Sequence, residues 1–297
     1  MVSEREKISK KVAWIALISN LILMLGKFFF GLLGESKAVF ADGIHSAADV
    51  VASIAVLAVV RISNKPPDKD HPFGHGKAEV ISEAIVGVIL LLVSFYIFIE
   101  AILSFFGKPQ APQYSALFAA IISYIAKEIL YRHSIKQGKK WNSKAIIAIA
   151  YDHKGDIFAS FAAFTGVLLA IIGQSNGWFF LLYADSLASI LVAYLIFKIA
   201  LHLIRPSIDV LMEKSVDPEL LNEYTSIINQ FEQVKRIDKI RARELGHYKL
   251  IDVRLSLDHH LTVKQGHDIT HHIRNTIKAN YPDVEEVLIH VNPYFEE

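Results

Sequence analysis

The chain has 297 residues, 53% of them hydrophobic and 21% charged, with a formal net charge of +1 and no cysteine. A near-neutral balance gives no electrostatic reason to expect nucleic acid or an acidic substrate as partner. The missing thiols exclude disulfides and thiolate metal sites, and argue against a carrier for a soft ion such as Cu(I).

A hydrocarbon core about 30 Å thick takes roughly 20 apolar residues per helix. Six segments meet that length, at about residues 12–33, 38–61, 79–105, 114–132, 144–173 and 178–203. The polar start MVSEREKISKK precedes a first apolar run too long for a signal peptide, so no cleaved leader is expected. Lys and Arg fall on one side of the predicted spans: Arg5, Lys7, Lys10 and Lys11; then Arg61, Lys65, Lys69 and Lys77; then Lys127, Arg132, Lys136, Lys139, Lys140 and Lys144. The opposite turns hold only Lys37 and Lys108. This asymmetry places both termini in the cytoplasm of a multi-pass protein in the cell membrane.

From about residue 207 the composition becomes that of a soluble domain. PELLNEYTSIINQF reads as a helix opened by Asp217 and Pro218. RIDKIRARELG and YKLIDVRLSLD alternate as half-buried strands do, TVKQGHDITHHIRNTIKANYP returns to a helical period, and VEEVLIHVNP reads as a last strand. The order α-β-β-α-β predicts a small open sheet with helices on one face. The expected organisation is a transmembrane domain over residues 1–206 and a cytosolic domain over residues 207–297.

The chemistry concentrates at two i,i+4 pairs inside predicted spans, His45 with Asp49 and Asp152 with Asp156. A charge at mid-bilayer costs from about 3 to more than 10 kcal/mol, so such residues face partners and serve function. Residues four apart share a helix face, and two such faces together offer three carboxylates and an imidazole for a divalent metal. One polar residue in a span is often only an interhelical hydrogen bond or a partner for a cation such as Lys27, but two spaced pairs argue for more. Flanking Gly43, Ser46, Ala47, Ala48, Gly155, Ala159 and Ser160 allow close approach. His153 and Lys154 are rotated from Asp152 by about 100° and 200°, so they are not counted as ligands. Asp185 is left outside the site, as a residue that holds the sixth helix in place or lines an outer path.

A second constellation is the loop PPDKDHPFGHGKAE, with Asp68, Asp70, His71 and His75 among turn-forming Pro and Gly. A third is the tail set Asp238, His247, His267, His271, His272 and His290. His259 and His260 fall in a predicted turn.

On these motifs the chain resembles the cation diffusion facilitators, proton-coupled divalent-metal transporters. DGIHSAADVVAS resembles the family's second-helix motif and YDHKGDIFAS its fifth-helix motif. The resemblance thereby implies His45, Asp49, Asp152 and Asp156 as the transport site. HPFGHGKAE implies a loop metal site through Asp68, His71 and His75, and a charge interlock of the dimer between Lys77 and Glu213. The tail is implied to be a ferredoxin-like α-β-β-α-β domain that dimerises and binds metal. There His267 and His290 match ligand positions, and Asp238 is the stand-in beside Ile237. Arg254 and Asn292 replace other ligands, which puts a full binuclear site in question.

With Asp152 where zinc carriers of the family often hold histidine, the cage is harder and suits Mn2+, ahead of Zn2+ and Fe2+. Three packed carboxylates cannot all stay ionised without a cation, so protons replace departing metal. The expected activity is metal/proton antiport out of the cytoplasm by a homodimer in the bilayer, without prosthetic group, nucleic-acid partner or enzymatic step. A zinc or iron exporter is the alternative within the family, and a membrane-anchored metal-sensing scaffold the alternative outside it. No HExxH pair supports a membrane metallohydrolase.

Overall fold

The computed structural model describes residues 4–107, 110–141 and 143–295. Within the helices, the side chains of residues 4–7, 9, 10, 52, 53, 55–58, 60, 61, 144 and 145 lie outside that description. So Lys108, and the side chains of Arg5, Lys7, Lys10, Arg61 and Lys144, all used in the orientation count, fall outside the described residues. The chain forms two compact units, one of residues 1–56 and 85–204, the other of residues 57–84 and 205–297.

Six long helices come first: α1 (Glu4–Leu33), α2 (Lys37–Ser63), α3 (Lys77–Leu103), α4 (Tyr114–Lys140), α5 (Lys144–Asn176) and α6 (Ala184–Leu211). Among the described residues, five stretches are long and apolar enough to cross a membrane: Lys11–Leu33, Lys77–Phe106, Tyr114–Lys140, Ile146–Asn176 and Phe179–Leu211. The remaining expected span, α2, is a continuous helix of 27 residues. At about 1.5 Å per residue that is long enough to cross.

The first unit is packed inside out relative to a soluble domain. Its interior is small and polar: Ala38, Ala41, Ala116, Ala163, Ser46, Ser160, Lys27, Lys127 and Asp156 are all buried. Its exterior is large and apolar, with Ile22, Leu92, Phe158 and Leu187 exposed. Lipid tails are as apolar as leucine, so large side chains gain nothing by turning inward, while small ones let helices close up. A Cβ on Gly166 of α5 would lie 2.4 Å from the Ala188 Cβ of α6, which requires glycine there.

Helix ends depart from the predicted spans because hydropathy marks the lipid-embedded part and not the helix. α4 continues past residue 132 to Lys140, through a polar segment that includes an i,i+4 pair, Glu128 with Arg132 at 2.6 Å. α6 begins at Ala184 rather than 178, after left-handed Gly177 and a 3-10 turn over Phe179–Tyr183. It then runs through Pro206 to Leu211, beyond the expected domain boundary at residue 206.

The tail follows the predicted order: α7 (Pro218–Ile228), β1 (Val234–Glu244), β2 (Lys249–Asp258), α8 (Val263–Asn280) and β3 (Val284–Tyr294). The sheet order is β1-β2-β3, with β1 antiparallel and β3 parallel to β2. Alternate β2 residues Ile251, Val253, Leu255 and Leu257 are buried with Tyr224 and Ile228 of α7 and Ile273 and Ile277 of α8. Period-two burial fixes the register, since a one-residue slip would turn these four outward. Thr262 opens α8 with a reciprocal capping box to Gln265.

Within the same unit, the loop before α3 docks on the β1–β2 turn. The Tyr248 hydroxyl donates to the Phe73 carbonyl, and Ser63 Oγ lies 3.1 Å from His247 Nδ1. Gly76 permits this docking, because a Cβ there would sit 2.0 Å from the Leu245 carbonyl oxygen. Gly76→Ala is therefore expected to destabilise the docked loop by about 1–3 kcal/mol, the usual penalty of overpacking. Hydrogen exchange of residues 71–78 and 245–248 should accelerate accordingly; unchanged exchange would show that the loop does not dock.

Candidate functional site

The bundle site centres on Asp156 of α5, whose side chain is only 5% exposed. Its Oδ2 accepts from Lys127 Nζ of α4 at 2.5 Å, and its Oδ1 lies 3.2 Å from His45 Nε2 of α2. Asp49, one turn further along α2, is half-buried and within electrostatic reach of Asp156 and Lys127. Asp152 lies on an exposed side of α5. The structure thus gathers His45, Asp49 and Asp156, while Asp152 stands at the edge.

Two residues of this cluster escaped the sequence reading. Its place in a basic run reads as a cytoplasmic loop, yet Lys127 is fully buried within α4 and also donates to Asn20 Oδ1 at 2.8 Å. Helical rotation from Asp152 points His153 elsewhere, yet it is 1% exposed with Nδ1 3.8 Å from Asp156 Oδ2. Helical geometry explains the correction: residue 153 lies about 60° from residue 156 on one side, and residue 152 about 40° on the other. Both therefore flank Asp156, and periodicity alone cannot choose between them.

A second buried pair stands beside the first. Lys27 Nζ of α1 is 2.7 Å from Asp42 Oδ2 and donates to Ser46 at 2.9 Å and Ser160 at 3.1 Å. Ser160 Oγ in turn donates to Asp42 at 2.9 Å. Lys27 therefore serves Asp42 rather than the quartet. The signal for Asp42 was in the spacing, since 42, 45, 46 and 49 form one helix face. Asp185 of α6 accepts from Ser36 Oγ at 2.6 Å and from the Lys37 amide at 2.8 Å, so it caps the N-terminus of α2.

The loop trio does converge. Asp68 Oδ1 is 3.4 Å from His71 Nδ1, and Asp68 Oδ2 is 3.3 Å from His75 Nε2. One ligand atom from each lies within 4.8 Å of the others, a donor set of one carboxylate and two imidazoles that fits a divalent cation. Backbone amides of His71 and Asp70 donate to Asp68, and these bonds hold its carboxyl below the usual range. Nearby, Lys77 Nζ is 3.3 Å from Glu213 Oε1 within one chain, and Arg243 Nη1 lies 3.6 Å from Glu213 Oε2.

The tail trio does not converge: Asp238, His267 and His290 form no three-ligand group among the described residues. Strand register puts Arg254 opposite His290 and Ser256 opposite Asn292. Asp238 is already committed, accepting from Asn292 at 2.9 Å, Ser256 at 2.8 Å and Arg236 at 2.6 Å. These bonds hold its carboxyl at about 2. Asn292 ties Asp238 to His290, whose Nε2 is 3.1 Å from Asn292 Oδ1. A hydrogen-bonded polar cluster thus occupies the place where the resemblance implied a metal site.

The bundle geometry makes a stability prediction. Removing one partner of a buried ion pair typically costs 3–5 kcal/mol, because the other charge is left uncompensated, so Lys127→Ala should cost about that much. Lys127→Ala with Asp156→Ala should cost much less than the sum of the two single changes. Thermal unfolding of the purified protein in detergent reads both, and strict additivity would show that the two groups do not interact.

Comparison with known proteins agrees with this architecture. The model of the cation efflux transmembrane domain matches residues 13–212, and that of the cation efflux protein cytoplasmic domain matches residues 216–294. The chain is 79% identical over 297 residues to the manganese efflux system protein MneP of Bacillus subtilis (strain 168), covering 100% of both chains. It is 31% identical over 282 residues to the manganese efflux system protein MneS of the same strain, covering 95% of this chain and 94% of that one. A solved structure, the metal-bound C-terminal domain of the CzcD transporter from Thermotoga maritima, is similar at 26% identity and a TM-score of 0.25, covering 26% of this chain and 94% of that one. With both family domains matched in order along nearly its whole length, and an inside-out helical bundle to carry them, the chain belongs to the cation diffusion facilitator family of multi-pass membrane transporters.

Proposed function

We propose that this transporter exports Mn2+ from the cytoplasm in exchange for protons, through His45, Asp49, Asp152 and Asp156. The observation that carries the reading is the buried Asp156 carboxylate, held by His45 at 3.2 Å and Lys127 at 2.5 Å. It is a preformed cation position inside a membrane bundle. The donor set holds more carboxylate oxygen than imidazole nitrogen, and harder ligands suit Mn2+ better than a nitrogen-rich cage does. Both manganese efflux relatives support the same cargo.

In this mechanism a dication arriving from the cytoplasm competes with the Lys127 ammonium for Asp156 and draws in Asp49 and, by a small rotation of α5, Asp152. Protons entering from the far side neutralise the carboxylates and release the metal. Coulomb repulsion among clustered carboxylates is what links the two ions: the site is satisfied by one dication or by protons, and poorly by neither. Both termini face the cytoplasm, and the tail joins two copies into a homodimer. The loop trio Asp68, His71 and His75 takes a regulatory cation, with the Lys77–Glu213 pair beside it. With Asp238 accepting from Asn292, Ser256 and Arg236, a binuclear metal centre in the tail is not part of this reading.

His153 favours a second reading. If that buried imidazole replaces Asp152 as the fourth ligand, the cage has two nitrogens and two carboxylates, a better fit to Zn2+. A strain lacking its own exporters, complemented with the chain and challenged across Mn, Zn, Fe and Co, separates the two. The expected result is restored Mn2+ resistance that Asp49→Ala, Asp156→Ala and Asp152→Ala each abolish and His153→Ala largely spares. Restored Zn2+ resistance lost in His153→Ala and kept in Asp152→Ala would establish the zinc reading instead. Function retained in Asp49→Ala and Asp156→Ala would point to a metal-sensing scaffold.

A further inference from the structure

We infer a cation site in the tail at the turn between β2 and α8, formed by Asp258, His259 and His260, that takes a nitrogen-preferring divalent ion such as Zn2+ or Ni2+. It is separate from the bundle cluster, from the loop trio and from the Asp238 network, and does not rest on the transport reading.

One ligand atom from each of the three residues lies within 4.8 Å of the other two. Bonds of about 2.0–2.2 Å to a shared ion bring ligand atoms to within about 4.4 Å of one another, so closure needs only side-chain rotation. The turn is already built. Asp258 ends β2, and its Oδ1 accepts the His260 amide at 2.9 Å while its carbonyl accepts the Leu261 amide at 3.2 Å. Thr262 then caps α8.

A pair of surface histidines is ordinarily just solvated surface. Here their setting is different. The Tyr294 carbonyl at the end of β3 accepts from the His259 amide at 3.3 Å and lies 3.0 Å from His259 Nδ1. Where the ring donates Nδ1–H to that carbonyl its Nε2 carries the lone pair, and Nδ1 also lies 3.8 Å from Asp258 Oδ1, so a shared ion needs a turn of the ring. The ring is also held by its neighbours, 4.7 Å from the Phe295 ring and 3.8 Å from the His260 ring between centroids. The third ligand is held as well, since the Asp258 carboxylate accepts the His260 amide.

Two imidazoles and one carboxylate define the ion. Imidazole binding follows the first-row order, in which Mn2+ is weakest and Ni2+ and Zn2+ are much stronger. The site is therefore unsuited to Mn2+. A bound ion would pin the β2–α8 turn to the end of β3, through the Tyr294 carbonyl behind His259, and so stiffen that edge of the tail.

The test uses the full chain purified in detergent and stripped of metal, with Zn2+ and Mn2+ as probes in equilibrium dialysis. His71→Ala removes the loop trio in every sample. In that background, adding His259→Ala and His260→Ala is expected to lower bound Zn2+ by one ion per chain and leave bound Mn2+ unchanged. Equal Zn2+ in the two proteins overturns the site, and loss of Mn2+ instead of Zn2+ overturns its ion class. Hydrogen exchange keeps the test open if the double variant folds poorly. Zn2+ should slow exchange at residues 258–262 in the parent protein and do so at least tenfold less effectively in Asp258→Asn; equal protection in both would also overturn the proposal.

Discussion

The structure turns on one ion pair in a place that disfavours ions. Asp156 sits inside the helical bundle with Lys127 on one oxygen and His45 near the other, and both Asp156 and Lys127 are almost wholly out of solvent. Low dielectric strengthens their attraction, but desolvation costs several kcal/mol per ion and such a pair is rarely the most stable choice for a core. An apolar pair would hold three helices together as well. A carboxylate kept there, able to exchange one cation for another, makes sense as a binding position. The second pair joins Lys27 of α1 to Asp42 of α2, with Ser46 of α2 and Ser160 of α5 accepting from Lys27 and Ser160 donating to Asp42.

Packing serves that cluster. Helices carrying charged residues must approach closely enough for side chains to meet, and in lipid no hydrophobic force draws them together. Alanine, serine and glycine along the inner faces of α2, α4, α5 and α6 supply the approach, and Asp185 fixes the start of α2 by accepting its first amides. Large apolar residues go outward because that is where lipid meets the protein. The tail follows opposite rules, with its aliphatic side chains turned inward against α7 and α8 and its polar network on the open side of the sheet.

The sequence carried much of this. Strict alternation in β2 and the capping signals around α8 predicted the α-β-β-α-β tail element by element, because a half-buried strand and an amphipathic helix leave different periods. Hydropathy found the spans but not the helix ends, since charged residues outside lipid continue a helix, as α4 does to Lys140. At the site, i,i+4 spacing picked out His45, Asp49 and Asp156, which the structure brings together. Lys127 was missed because it lies where an apolar run meets a basic one, and composition reads that edge as loop. Periodicity does not place His153, because it and Asp152 straddle the direction of Asp156, and tertiary packing buries the imidazole. In the tail, Asp238, His267 and His290 form no three-ligand group among the described residues, for a similar reason. Matching positions in strands can hold either ligands or a hydrogen-bonded network, and here Asn292 and Ser256 made the network.

The central claim is that one carboxylate-rich cluster carries metal one way and protons the other. Proteoliposomes containing the chain, loaded with a pH-sensitive dye and given an acidic lumen, test it most directly when Mn2+ is added outside. The account predicts that the proton gradient accelerates Mn2+ uptake, that uptake makes the lumen more alkaline, and that Asp156→Asn removes both effects. Mn2+ uptake at the same rate with and without the gradient, and without change in lumenal pH, would contradict it.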